Sequence, residues 1–499
     1  MDFLDPKKQR AHTYRLLIGY VLVGIALILT TIILLYQAYG FGIDKNGQII
    51  QNGLVFVSST PNPAKIFING QQYKDDTNVR IPLPAGQYTF ELQRNGYENW
   101  KRAITVEGGS VDRFDYPFLI PSKLQSSTYK EYAAKPRLVT ESPDRRWLIT
   151  QGGESLIRFA IHDLSKQKEN DPGKEIVLPD SVATAAGNNA PGGWELVQWS
   201  SDNRHVLLKH AFQKDGQSSS EYILLDREDP AQSVNLTNSW GINPSKVQLK
   251  DRAYDSYFLF DETSHKLMTA TLKTPEPKAF LDHVLAFKSY GDDIVLYATD
   301  KDVADNKVAV RWREGSDTHP IRTFDAGSNY LLDLTRYDGD WYVVAGSAAE
   351  GKAYVYRNPV DMLKTQDITV PVHVLKVADA NHLEFSDNAR FIMIEKDNHF
   401  AVYDAEYDKG YTYTAPLTLD APQAFASWMD GHRLMYTSGG KVVIFDFDSI
   451  NQRTLVLNEA GMLPVFDRDY EYLYTVAPST KSGAPFVINK TPLRIPDDL

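Results

Sequence analysis

From Leu16 to Ile43 the chain carries no charged residue and no histidine. The core of this run, Leu16 to Tyr36 (LLIGYVLVGIALILTTIILLY), is apolar on every helical face. At ~1.5 Å per helical residue it has the length that spans hydrocarbon. Beyond Asp44 the pattern changes completely. Short runs of alternating apolar and polar residues, rich in Val, Ile, Tyr, Phe and Trp, are broken every few residues by Gly, Pro, Asn and Asp. That pattern predicts short strands joined by tight turns.

Charge gives the apolar run a direction. Lys7, Lys8, Arg10 and Arg15 precede it, and Asp44 is the first charge after it. Tyr20, Tyr36, Tyr39 and Phe41 lie toward its ends, where aromatic rings suit a membrane interface. The positive-inside bias predicts a cytoplasmic tail over 1–15, a transmembrane helix over 16–40, and extracytoplasmic domains after it. A cleaved signal peptide would have a shorter apolar region, about 7–15 residues, ending in small residues. This run is longer and ends in Tyr-Gln-Ala-Tyr-Gly-Phe-Gly, so an uncleaved anchor is expected. Gly19 and Gly24 are five apart and form no GxxxG seam for helix pairing.

A linker is predicted over 41–53 and a compact β-sandwich over 54–120. Leu54–Ser58 and Lys65–Asn69 have strand composition, and Pro61-Asn62-Pro63-Ala64 forces a turn between them. Asn69-Gly70 and Asn95-Gly96 are hairpin turns. Further strands are predicted at Arg80–Leu83, Gln87–Arg94 and Trp100–Val106. These residues resemble the PEGA domain family. The Pro-x-x-Ala turn (Pro61 to Ala64), the strand ending in Asn69-Gly70, Leu-Pro-x-Gly-x-Tyr (Leu83, Pro84, Gly86, Tyr88) and Gly-Tyr-x-x-Trp (Gly96, Tyr97, Trp100) occur in order. The namesake Glu-Gly pair is Asn62-Pro63 here. The resemblance implies a cell-surface interaction module beside a membrane anchor, without catalysis. Tyr88, Tyr97 and Trp100 are expected to pack the core of a small domain.

Residues 121–499 read as a repeat array. A strand, a polar turn centred on Asp and a second apolar strand recur around Asp144, Asp202, Asp255, Asp292, Asp338, Asp387, Asp430 and Asp467. From Asp144 to Asp467 is 323 residues, seven intervals of about 46. That period suits four-stranded propeller blades. Eight blades are expected, with seven as the alternative because the third and fourth units are irregular. The last unit lacks a fourth strand, which a segment near 124–140 is expected to supply. Trp199-Ser200-Ser201-Asp202-Asn203, Phe385-Ser386-Asp387-Asn388 and Ser427-Trp428-Met429-Asp430-Gly431 resemble the WD40-like repeat of TolB-type periplasmic propellers. Each turn Asp is expected to cap backbone N–H groups. The fold class is thus all-β with one N-terminal transmembrane helix, a PEGA-like sandwich and a propeller.

Composition removes several kinds of chemistry. There are 0 cysteines, so a disulfide framework, thiolate metal site or cysteine nucleophile is ruled out. The net charge is −11; the first 43 residues contribute +2, which leaves −13 beyond them. That balance speaks against non-specific nucleic-acid binding. Gly346–Lys352 (GSAAEGK) fits GxxxxGK, but Ala353 replaces the Ser/Thr and the motif lies between two strands. Ser142–Trp147 is close to a sialidase Asp-box but lacks its glycine. Asp300, Asp302 and Asp305 lack the glycine and glutamate of a calcium loop and read as a solvated hairpin, as do Asp446 and Asp448. No HExxH and no GxSxG occurs.

No catalytic residue, cofactor or metal ligand is therefore assigned. The expected function is non-catalytic: a cell-membrane scaffold recognising an envelope protein or glycan through its propeller. It could act as a subunit of a larger envelope complex. The alternative is a propeller hydrolase or lyase acting on envelope polysaccharide, which needs carboxylates, Arg or His converging in the central funnel. The polar loops Ser165–Gly173, Thr184–Gly193 and Lys214–Ser220 are the best sequence pointers to a docking face.

Overall fold

The computed structural model describes residues 6–38, 40–43, 49–152, 155–166, 173–184, 192–214, 216–421 and 425–498. Parts of the 41–53 linker and of all three polar loops lie outside these residues. The chain divides into two compact units: residues 1–123 with 494–499, and residues 124–493.

The first unit opens with helix Pro6–Ala38. Its segment His12–Tyr36 has a mean hydropathy of 2.7 and is long and apolar enough to cross a membrane. The Thr30 and Thr31 hydroxyls donate back to the Ala26 and Leu27 carbonyls, both at 2.8 Å. Both hydroxyls are therefore satisfied within the helix, as a span without water requires.

Two four-stranded sheets follow. In one, Ile49–Val57 pairs with Phe41–Ile43, with Val79–Pro84 and, in parallel, with Val111–Phe114. In the other, the order is Gln71–Asp76, Lys65–Ile68, Gly86–Gln93, Trp100–Val106. Val55, Val57, Ile66, Ile81, Phe90, Leu92, Trp100 and Val106 are buried. Asn69 and Gly70, both at positive φ, turn the chain into a strand, Gln71–Asp76, that its polar sequence conceals. Gly53 allows a close approach: a Cβ there would lie 2.4 Å from Val106 Cγ1 and 2.6 Å from the Glu107 carbonyl.

Among the described residues the second unit forms eight four-stranded antiparallel sheets. They span 138–177, 193–235, 246–281, 284–325, 330–376, 382–414, 427–457 and 465–492, here blades 1 to 8. Blade 8 has three strands of its own. Its fourth is Ser127–Tyr132, paired with Phe486–Pro492 in the register Phe486↔Tyr132 to Lys490↔Ser127. The eight-blade expectation and the closing segment are both met.

The period of two explains why the blades stack. In strand His205–Lys214, Val206 and Leu208 join the apolar cluster shared with blade 1, while Leu207 faces the cluster shared with blade 3. Similar clusters fill the seams between blades 3 and 4, 4 and 5, and 5 and 6. Phe391 stacks on Phe447 at 4.2 Å between blades 6 and 7. A cluster containing Tyr129, Leu148, Tyr474 and Ile488 joins blade 8 to blade 1.

A second device recurs inside blades. An arginine of the turn between the first two strands clamps an aspartate that ends the third strand. Arg146 holds Asp163 at 3.1 and 3.3 Å, Arg204 holds Asp226 at 2.8 and 2.5 Å, and Arg390 holds Asp404 at 2.8 and 2.7 Å. Asp404 is fully buried and Arg390 nearly so. Removing one member of such a pair strands the other's charge. Arg390→Ala is therefore expected to cost about 3–5 kcal/mol in urea unfolding, and the exposed-pair control Arg158→Ala under about 1 kcal/mol.

Candidate functional site at the propeller centre

The first strand of each blade is innermost, and several neighbouring first strands contact one another directly. Those of blades 2 to 5 line an open cleft of about 520 Å³. Its wall combines apolar residues, including Val197, Val247, Phe287 and Leu332, with Gln198, Gln248 and Lys288. Lys288 Nζ lies 3.7 Å from Asp333 Oδ2 on the next blade. Burial raises the Asp333 carboxyl, and Lys288 works against that.

Carboxyl groups gather on the other side of the centre, from blades 1, 6, 7 and 8. The turn geometry decides which of them face inward. In blades 1, 2, 7 and 8 the turn aspartate caps backbone N–H groups as expected. Asp144 accepts from Arg146 N at 3.2 Å, Asp202 from Arg204 N at 2.8 Å, Asp430 from His432 N at 2.7 Å and Asp467 from Glu471 N at 2.8 Å. In blade 6 the cap is Asn388, which accepts from Arg390 N at 3.2 Å. Asp387 is one residue out of register with the other caps, so its carboxylate is released from the turn.

Arg145 meets it. This residue sits at φ 55° in the blade 1 turn. Its Nη2 donates to Asp387 Oδ2 at 2.8 Å and to the Met429 carbonyl of blade 7 at 2.9 Å. Its guanidinium lies 4.5 Å from the Tyr470 ring centroid of blade 8, and its Nε is 3.9 Å from Glu141 Oε1. One side chain thus ties blade 1 to blades 6, 7 and 8.

Burial raises the surrounding acids. Burial pushes the Glu141 carboxyl up to about 8; Arg145 draws it down, and Asp387 and Asp467 push it further up. Burial also pushes Asp467 up to about 6, against hydrogen bonds from the Tyr472 and Glu471 backbone. Asp387 is raised by burial in spite of Arg145. Glu395 is buried between His382 and Ala426, with Oε1 accepting from Ala426 N at 2.7 Å and Oε2 unpartnered. Burial raises its carboxyl well above the ordinary range. Chemically, the centre sets carboxyl groups of raised pKa beside one engaged guanidinium.

The motifs weighed in the sequence fall elsewhere. Gly346 and Ser347 close strand Asp340–Ser347 and Lys352 begins the next, so GSAAEGK is a strand-to-strand turn. The Asp300 carboxylate accepts from His283 Nδ1 at 2.9 Å, on a hairpin loop. Among the described residues no group of three His, Asp or Glu side chains is placed to hold a metal ion. Tyr97 and Trp100 are buried in the small unit's core, and Tyr88 donates to the Pro84 carbonyl. The Arg145 bridge was missed because its partners lie 242 to 325 positions away. The available signal was the unusual Arg-Arg pair in the blade 1 turn.

Residues 52–119 match the model of the PEGA domain. No curated protein matches the chain. Similar solved structures include an oligogalacturonate lyase in complex with manganese, at 11% identity over 74% of this chain and 96% of that one, TM-score 0.39. Kluyveromyces lactis Hsv2 aligns at 10% identity over 71% of this chain and 98% of that one, TM-score 0.37. Porphyromonas gingivalis dipeptidyl peptidase 4 aligns at 11% identity over 72% and 58%, TM-score 0.41. At these identities and scores none of them bears on what this chain does. The chain is a β-propeller protein with a PEGA domain and an apolar N-terminal helix.

The central acids make stability depend on pH. A carboxyl raised on folding keeps its proton where the unfolded chain has lost it. The stability tied to Glu141 is complete below its ordinary 4.5 and is lost as pH climbs through about 8; that of Asp467 is lost between 3.8 and about 6. Folding stability is therefore expected to fall from about pH 5 to about pH 8, by an amount on the order of a few kcal/mol, which a falling melting temperature reads out. Glu141→Gln is expected to flatten that slope, and equal slopes in both proteins would contradict the assignment.

Proposed function

We propose that this protein is a non-catalytic, membrane-anchored scaffold that recognises an envelope protein or glycan through its propeller. The observation that carries the reading is the Arg145 bridge. The guanidinium that could bind an anionic substrate is already engaged by Asp387, the Met429 carbonyl and the Tyr470 ring. Blades 1, 6, 7 and 8 are tied together at the centre by this side chain, which suits a rigid display platform. In this reading the helix stays uncleaved at the cell membrane, residues 1–15 are cytoplasmic and both units are extracytoplasmic, because Lys7, Lys8, Arg10 and Arg15 precede the span.

One feature favours a second reading, a hydrolase or lyase on envelope polysaccharide. Glu141, raised to about 8, is suited to donate a proton at neutral pH.

Chemical cross-linking of the full chain in its native cells, read by mass spectrometry, tests the choice. Reproducible propeller cross-links to one or two envelope proteins, or co-sedimentation with envelope glycan without cleavage, are expected. Cleavage of envelope polysaccharide that Glu141→Gln abolishes would establish the enzyme instead. Because the chain has 0 cysteines, Ala304→Cys reports topology in the same cells. A membrane-impermeant maleimide is expected to label it without lysis.

A further inference from the structure

The last described residues belong to the small unit. They reach it through a short loop, 94–97, between strands Gly86–Gln93 and Trp100–Val106. Arg94 Nε donates to Asp498 Oδ2 at 3.2 Å, and its Nη2 donates to Asp498 Oδ1. The Tyr97 hydroxyl donates to Asp498 Oδ2 at 2.6 Å and accepts from the Ile495 N–H at 2.9 Å. Arg94 Nη1 is braced by the Pro63 carbonyl. The Ile495 side chain lies over Gly96, 3.5 Å from where a Cβ would stand. The Asp498 side chain is only 9% exposed.

This arrangement has the parts of a peptide-recognition site. A guanidinium fork reads a carboxylate, a phenol reads the same carboxylate and a backbone N–H, and an aliphatic side chain packs over the turn at Gly96, whose positive φ of 83° favours glycine. Segment 494–498 adds no strand to either sheet and ends in the single short turn Pro496–Asp498. It also leaves beside it an open cleft of about 500 Å³ lined by Lys65, Asp76, Gln93 and Asn99. The site is larger than its occupant. Being tethered, the segment has a high effective concentration and fills the site first.

We propose that Arg94, Gly96 and Tyr97 form a docking site for an acidic peptide segment of a partner protein, aliphatic-Pro-x-Asp in chemistry, occupied in cis by residues 495–498. This surface belongs to the small unit.

The test uses the full chain in detergent, a variant lacking 494–499, and full-length Asp498→Asn. The probe is a fluorescein-labelled peptide of residues 493–499, read by fluorescence anisotropy. Both variants are expected to bind the peptide, and the intact chain roughly tenfold more weakly or not at all. A peptide with Asn in place of Asp498 is expected to bind at least about tenfold more weakly, and Arg94→Ala in the shortened chain to abolish binding. Should truncation prevent folding, Asp498→Asn carries the test. A folded variant that takes up no peptide, or binds the Asn peptide equally well, would overturn the proposal.

Discussion

The propeller depends on one strand pairing. Ser127–Tyr132, from the start of its sequence, completes the sheet formed by the last three strands. Without it blade 8 would leave the row of donors and acceptors of Phe486–Pro492 unpaired. Blade 1 would also lose the Tyr129 and Tyr132 rings that it packs against. Each blade is too small to bury its own faces and relies on both neighbours, so a gap at one seam would weaken the array at its ends. The exposed Lys481–Glu131 pair adds a charge contact at 2.6 Å across the same closure.

Within that ring a single turn motif serves two purposes. Its serine, its aspartate or asparagine cap and its arginine satisfy the local backbone and clamp the third strand, as in blades 1, 2 and 6. A shift of one residue in blade 6 hands the capping role to Asn388 and leaves Asp387 for Arg145. The same local chemistry therefore builds the blades and, where it slips, builds the contact across the centre. Concentrating acids around one bridging guanidinium has a cost, visible in the raised carboxyls of Glu141, Asp387 and Asp467.

The small unit follows a different economy. Its two short sheets bury a modest core, and close approaches such as that at Gly53 hold them together. Tyr97 shows how a core residue acquires a second role. Its ring is buried as the sequence suggests, while its hydroxyl organises Asp498 and Ile495.

The amino-acid sequence by itself determined the order of modules, the apolar helix, the sandwich, the blade period and the need for a borrowed closing strand. These follow from local periodicity and turn chemistry, which act over a few residues. The polar strand Gln71–Asp76 escaped notice because edge strands carry no apolar alternation. Only the tertiary structure decided that Asp387 faces Arg145, that Glu141 keeps its proton, and that residues 494–498 return to Arg94. Those outcomes depend on which side chains meet across hundreds of residues and on how much water is excluded there. Neither quantity is written in any local stretch of sequence.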